Sequence, residues 1–188
     1  MDLKVLSWNA RSLRDNRTNH KLTELKFYLQ TNFCHIILVQ ETWLDPKCNI
    51  YIPNYSCIRH DHTSNTNHPH GGVLIFVHSS IAFKQINFTN LQFSDAVFVR
   101  IFIGAKELVI GSVYCSPSLK CAERKSDYLK MISHSGPFVL AGDFNAKHTS
   151  WNNVKFDRSG CHLKKICDDN LCDIHFTNSP TAFPPTGS

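Results

Sequence analysis

The chain has 188 residues, which suits one domain or most of one. Its 42% hydrophobic and 19% charged residues are ordinary for a globular protein and exclude a disordered chain, and no apolar run is long enough to span a bilayer. The formal net charge of +5 suits a polyanionic partner such as nucleic acid without proving one.

Leu3 to Trp8 predict a short buried strand, followed by a polar segment with Arg11, Arg14 and Arg17. Leu22, Leu25 and Leu29 recur at helical spacing, with Tyr28 and Phe33 nearby, and predict an amphipathic helix of about three turns. His35 to Gln40 is a second apolar strand. Strand, helix and strand with short connections predict a right-handed βαβ unit with parallel strands. Asp45 to His70 is dominated by Pro, Asn, His and Thr and reads mostly as loop. Gly71-Gly72 opens an apolar strand from Val73 to Val77. Ala96–Ile103 and Leu108–Tyr114 predict a hairpin, with Gly104-Ala105-Lys106-Glu107 as its turn. Tyr128, Leu129 and Ile132 predict a helix after Cys121, and Phe138 to Ala141 another buried strand. A short helix around Leu163, Ile166 and Cys167 and a weak strand near Ile174–Phe176 follow, before a loop at Pro184–Ser188. Strands with interspersed helices indicate an α/β fold, a layered sandwich with some antiparallel pairing.

The N-terminal Met1-Asp2-Leu3-Lys4-Val5 lacks the basic-then-apolar layout of a secretory signal, so an intracellular chain is expected. The eight cysteines are dispersed and form no CxxC pair, which argues against a zinc site and for reduced thiols.

Three polar groups sit at the C-terminal ends of predicted strands: Ser7-Trp8-Asn9, Gln40-Glu41-Thr42-Trp43 and Gly142-Asp143-Phe144-Asn145. In layered α/β folds, strand ends are where ligand crevices form. Each group alone has an ordinary explanation. Asn9 could start a turn, Asp143 and Asn145 could make an Asx-turn, and Glu41 could be a solvated residue. Together they supply Asn, Glu, Asp and Asn oxygens, each emerging from an apolar run. Such hard ligands suit Mg²⁺, which often takes one or two carboxylates and keeps its waters. Tyr114, before Cys115-Ser116-Pro117, could bond a phosphate oxygen or simply cap the core.

These motifs, in this order, carry a resemblance. Trp8-Asn9-Ala10-Arg11-Ser12-Leu13, Gln40-Glu41-Thr42-Trp43, Gly71-Gly72-Val73, Tyr114-Cys115-Ser116-Pro117 and Gly142-Asp143-Phe144-Asn145-Ala146 resemble the endonuclease/exonuclease/phosphatase superfamily. The Asn-x-Arg-Ser-Leu opening and Asn145-Ala146-Lys147-His148-Thr149-Ser150-Trp151 resemble its apurinic/apyrimidinic-like branch in non-LTR retrotransposons. The resemblance implies two mixed sheets flanked by helices, and a DNA endonuclease that nicks target DNA so that a reverse transcriptase domain in the same parent polypeptide can prime synthesis. It implies nuclear action and no membrane. It assigns Glu41 and Asn9 to Mg²⁺, for which Mn²⁺ could substitute. Tyr114 would contact the scissile phosphate, Asp143 would orient or deprotonate the attacking water, and Asn145 would stabilise the phosphate's transition state. Arg11, Arg14, Arg17, Lys147 and His148 are candidates for DNA contact. Arg59 and Asp61 are secondary candidates with an ordinary alternative as a loop ion pair. Trp151 is expected to pack its loop.

The family pattern continues with an aspartate-bearing strand and a Ser-Asp-His motif, and nothing like that motif follows Asn145. Residues 1–188 are therefore expected to be a domain incomplete at its C-terminus, lacking the last strands and having little nicking activity alone. A catalytically dead DNA-binding remnant and an inositol or lipid phosphatase of the same superfamily are the competing expectations.

Overall fold

The longest apolar runs form strands buried on both faces, and these organise two sheets. The computed structural model describes residues 2–13, 20–62, 70–87, 91–133 and 136–176. Arg14, Arg17, and the expected loop at 184–188 lie outside them. The first sheet has the order β1-β2-β4-β3, from β1 (Val5–Asn9), β2 (Ile36–Gln40), β3 (Tyr55–His60) and β4 (Val73–His78). The second has the order β5-β6-β7-β8, from β5 (Ala82–Ile86), β6 (Asp95–Ile103), β7 (Lys106–Tyr114) and β8 (Phe138–Asp143). The first pair, β1 and β2, is parallel, with helix α1 (His20–Thr31) connecting them. The last pair, β7 and β8, is also parallel, and α2 (Cys121–Ile132) connects it. Helix α3 (Arg158–Asp169) follows β8.

Strand periodicity of two sorts the side chains into three cores. Ile36 and Leu38 of β2, with Val73, Ile75 and Val77 of β4, meet Val97, Val99, Ile101 and Ile110 of the second sheet. The alternate residues Ile37, Val39, Leu74 and Phe76 face outward and are covered by Leu22 and Leu25 of α1. Phe98, Val109 and Val113 face the other way, onto Tyr128 and Met131 of α2 and Ile166 of α3. The result is a layered α/β sandwich with two mixed sheets, as the sequence implies. Burial on both faces explains why β2 and β4 read as unbroken apolar runs. Each fully buried Leu, Ile or Phe contributes about 1.5–3 kcal/mol.

Three expectations need correction, and one strand has no counterpart in the sequence reading. The Asp45–His70 segment contains β3, whose burial pattern leaves Ile58 as its one buried residue, so an edge strand looks polar in sequence. The short strand β5 is an unexpected edge strand, with no buried residue, for the same reason. The hairpin turn is tighter than four residues. Ile103 pairs with Lys106, leaving Gly104-Ala105 as a two-residue connection, with Gly104 at φ +60°. The weak strand at Ile174–Phe176 does not form; Phe176 is exposed and the segment pairs with no strand among the described residues. All eight cysteines are free. Among the described residues no helix is long and apolar enough to cross a membrane.

Candidate active site

Parallel pairing puts the ends of β1 and β2 at one edge, with Asn9 opposite Gln40. On the second sheet, Tyr114 lies opposite Asp143 on one side and Asp95 on the other. Alternation then fixes which way these residues face. Tyr114 follows the inward parity of Ile110, Asp143 that of Ala141, and Asp95 that of Val97, so all three point toward the space between the sheets. Beneath them is a buried polar floor, where Gln40 donates through Nε2 to Ser112 Oγ at 3.0 Å and Ser112 Oγ donates to Val39 O at 3.3 Å. This join explains why two polar residues stand inside a core, since each finds a partner there.

The Asn9 side-chain amide is the centre of the site. Its Nδ2 donates to Glu41 Oε1 at 2.7 Å and to Asp143 Oδ2 at 2.9 Å, so one amide bridges residues 32 and 134 positions away on the two sheets. Its Oδ1 accepts the Arg11 N–H at 3.1 Å. The other carboxylate oxygen, Asp143 Oδ1, accepts the Asn145 N–H at 3.0 Å, an Asx-turn that is part of the site rather than an alternative to it. Asn145 Nδ2 donates to Cys115 O at 3.0 Å, which spends one of its two N–H groups and orients the other. All four strand-end residues and Tyr114 therefore converge.

The backbone is strained where these residues turn. Arg11, Ser12, Glu41, Trp43 and Asn145 all have positive φ, between 44° and 81°. Such conformations persist where neighbouring structure over-determines them. Here Ser12 N–H donates to Glu41 O, Leu13 N–H to Thr42 O, and Thr42 and Trp43 N–H groups to Gly72 O and Gly71 O. Gly142 has φ +156°, and a Cβ there would lie 1.9 Å from Val113 O, so the residue before Asp143 must be glycine.

Tyr114 is partly buried near both carboxylates. Burial, then the charges of Glu41, Asp143 and Asp95, push its phenol up to about 12. It therefore stays an O–H donor at neutral pH.

Sequence reasoning missed two groups. Arg124 on α2 is buried, and its guanidinium donates to Asn145 O and Ser159 Oγ through Nη1 and to Ser116 O and Pro117 O through Nη2. It ties the loop after Tyr114 to the loop after Asp143. The second group is Asp95, which is buried. It accepts from Gly72 N–H at 2.8 Å and lies 2.9 Å from His62 Nδ1 and 3.6 Å from His60 Nε2. Burial works to raise its carboxyl, but the two imidazoles and the Gly72 N–H outweigh it and hold it below the usual range. Its carboxylate in turn raises His60. A Cβ on Gly71 would lie 2.5 Å from Asp95 Oδ2, which explains part of the Gly71-Gly72 motif. A polar residue opening the apolar β6 run was the one signal available.

The secondary candidates divide. Arg59 pairs with Asp61 at 2.9 Å and donates to Cys48 O and Asp45 O, so it staples the preceding loop to β3. His148 accepts from Ser150 N–H at 3.1 Å, and Trp151 Nε1 donates to Ala146 O at 3.1 Å; both order the loop after Asn145. Lys147 and Arg11 are exposed beside the site. Lys21, not singled out in the sequence, donates to Ala10 O and Arg11 O.

Glu41 and Asp143 thus face one amide with no Lys, Arg or His at ion-pair distance among the described residues. Two carboxylates short of a counter-charge supply the hard oxygen donors a divalent cation takes, while the Asn9 amide turns its Nδ2 to them and its Oδ1 to the Arg11 N–H. No cluster of three His, Cys, Asp or Glu side chains suited to a metal occurs among the described residues. A hollow of about 420 Å³ on the outer face of α1 and another of about 200 Å³ between α2 and α3 lie away from these residues.

The profile of the Endonuclease/Exonuclease/phosphatase family matches residues 6–188. The chain is 28% identical over 186 residues to a probable RNA-directed DNA polymerase from transposon BS of Drosophila melanogaster, covering 97% of this chain and 19% of that protein. It is 26% identical to the RNA-directed DNA polymerase from mobile element jockey of the same organism, covering 96% and 19%. The chain thus spans about a fifth of the length of the curated relatives it matches. Its fold is similar to the endonuclease domain of TRAS1, a telomere-specific non-LTR retrotransposon, with a TM-score of 0.66 and 19% identity over 90% of this chain and 71% of that one. An endonuclease/exonuclease/phosphatase family protein from Leptotrichia buccalis gives a TM-score of 0.60 and 16% identity, covering 89% and 72%.

Proposed function

We propose, since the chain belongs to the endonuclease/exonuclease/phosphatase family of hydrolytic enzymes, that its site hydrolyses phosphodiester bonds in DNA and nicks target DNA during retrotransposon integration. The observation that carries this reading is the Asn9 amide held between Glu41 and Asp143, which gathers three strand-end motifs at one point. Glu41 and Asn9 would hold Mg²⁺, with Mn²⁺ able to replace it; when bound, the ion neutralises charge on the phosphate. Asp143 orients or deprotonates the attacking water through a lone pair left free by Asn9 and Asn145. Tyr114 donates its O–H, and Asn145 its second N–H, to non-bridging oxygens as charge develops there. Arg11 and Lys147 contact the DNA backbone, which makes binding salt-dependent. Arg14, Arg17 and His148 are further candidates for the same role. Acting in the nucleus, beside a reverse transcriptase domain of the same polypeptide, is the context this chemistry suits.

The test is conversion of supercoiled plasmid to open circle in Mg²⁺, in EDTA, and with Asp143→Ala, run against a phosphoinositide panel. Nicking, expected to be weak because no Ser-Asp-His motif follows Asn145 within residues 1–188, that is lost in EDTA and in the variant supports the proposal. Phosphate release from inositol phosphates, with plasmid untouched, would move the chain to a phosphatase role. A second reading, a DNA-binding chain without catalysis, rests on one observation: among the described residues no imidazole hydrogen-bonds Asp143 or Asn145. Mg²⁺-independent DNA binding with no cleavage would favour it.

A further inference from the structure

The loop from Lys147 to Arg158 leaves the site directly after Asn145 and returns to it. Asp157 N–H donates to Lys147 O at 2.9 Å, and Asp157 Oδ1 accepts the N–H groups of Lys147 and Gly160 at 3.2 and 2.7 Å. A Cβ on Gly160 would lie 1.9 Å from Lys147 O, so the loop base is clamped against the start of α3. Inside the loop, the His148 ring lies 5.0 Å from Trp151 and 6.4 Å from Phe156, centroid to centroid. The loop is therefore a shaped ledge with both its ends and its rings fixed.

The ledge presents two neighbouring apolar side chains to solvent. Val154 is 93% exposed and Phe156 is 67% exposed. Apolar side chains held in water at the rim of a site, one of them with its ring beside His148, suit a contact surface. The chemistry around them selects the partner. Lys147, Lys155 and Arg158 are all exposed and flank the two apolar residues, while the one acid of the segment, Asp157, is turned inward to cap α3. An apolar wedge with a cationic rim complements stacked bases between phosphates.

We propose that this loop is a DNA-contacting ledge in which Phe156 stacks on an unstacked base, with Val154 wedged into the adjoining step, beside the phosphate to be cut. The proposal rests on the nuclease reading, and it adds a device that distorts duplex DNA. Lys147, Lys155 and Arg158 hold the phosphates on either side. A kinked, partly unstacked duplex presents its backbone to Asp143 and Asn145, two residues before Lys147, more openly than a straight one does. Steps that unstack at low cost, such as TA, are then bound preferentially.

The experiment is titration of duplex oligonucleotides carrying 2-aminopurine at successive positions, followed by anisotropy and 2-aminopurine emission, in EDTA so that nothing is cut. Wild type is expected to bind and to raise emission at one or two adjacent positions. Phe156→Ala is expected to weaken binding about 10-fold or more and to abolish the rise, with Phe156→Trp restoring both. Its salt slope should match wild type, whereas Lys155→Ala should lower the slope by about 0.9. If wild type binds while Phe156→Ala and Val154→Ala bind and unstack equally well, the ledge is overturned and the nuclease reading stands. If wild type binds no DNA even at low salt, both fall. Variants that change the sedimentation coefficient but not DNA binding would assign these side chains to protein contact and overturn the proposal. Both residues are exposed, so unchanged thermal unfolding is the control for folding.

Discussion

Replacing Glu41 by Gln keeps the shape of the side chain and its ability to accept from Asn9, but removes one charge. In the structure Glu41 Oε1 and Asp143 Oδ2 sit 2.7 and 2.9 Å from the same amide nitrogen. With the two N–H directions roughly 120° apart, the oxygens are about 5 Å from each other. Two like charges at that distance repel by about 3 kcal/mol at an effective dielectric of 20, and by about 1 kcal/mol in bulk water. Both groups are partly exposed, so the lower end governs. Without metal, Glu41→Gln should therefore stabilise the chain by about 1 kcal/mol, or roughly 2–4 °C in Tm for a domain of this size. With metal the order reverses. At about ten times its Kd, a bound ion adds about 1.4 kcal/mol to wild type, or roughly 3–5 °C. The variant loses most of that increment. The assay is thermal unfolding by circular dichroism in EDTA and in millimolar Mg²⁺, with ionic strength matched by NaCl. A variant that melts below wild type in EDTA, yet keeps the full Mg²⁺ increment, would refute the reasoning. Glu41 would then be a structural residue and the cation would sit elsewhere.

Three further outcomes follow from the same geometry. Arg124→Ala should destabilise by about 3 kcal/mol, because a buried guanidinium serving three carbonyls and Ser159 is removed; Arg124→Lys should recover part of this, and a urea midpoint within error of wild type would show that the two loops hold without it. Asp95 is held below the usual carboxyl range, so its contribution is present above about pH 4 and lost as pH falls through its lower folded value. His60 is raised, so its contribution is complete below about pH 6.5 and lost as pH rises through its folded value; Asp95→Asn should flatten both limbs of a plot of urea midpoint against pH, and unchanged limbs would count against the cluster. Tyr114→Phe removes a phosphate donor that is protonated at working pH, and should lower kcat for nicking about 100-fold with little change in KM; a change confined to KM would make Tyr114 a DNA-binding group instead.

What was legible in the sequence follows from burial. The runs at 36–39 and 73–77 are covered on both faces, so their hydrophobicity is continuous and their strands are evident. The edge strands β3 and β5 have little to bury, so the same geometry leaves almost no apolar signal. The site divides along a similar line. Asn9, Glu41, Tyr114 and Asp143 are each the polar stop of an apolar run, and that local contrast makes them visible. Arg124 was hidden because a basic residue beside Lys125 on a helix looks like a solvated face, although its side chain is buried. Asp95 opens its strand rather than ending it, and its partner His62 lies in a segment dominated by polar residues. Both missed residues hold loops in place, a role set by which carbonyls or N–H groups the fold happens to bring near. No spacing along the chain encodes that. The pairing of Tyr114 with Asp143, and the stacking that carries Asp143 to Asn9, are what turn four separate strand ends into one site. Chemistry can thus be read from residue types at strand ends, whereas the groups that position it become visible only once the two sheets are stacked.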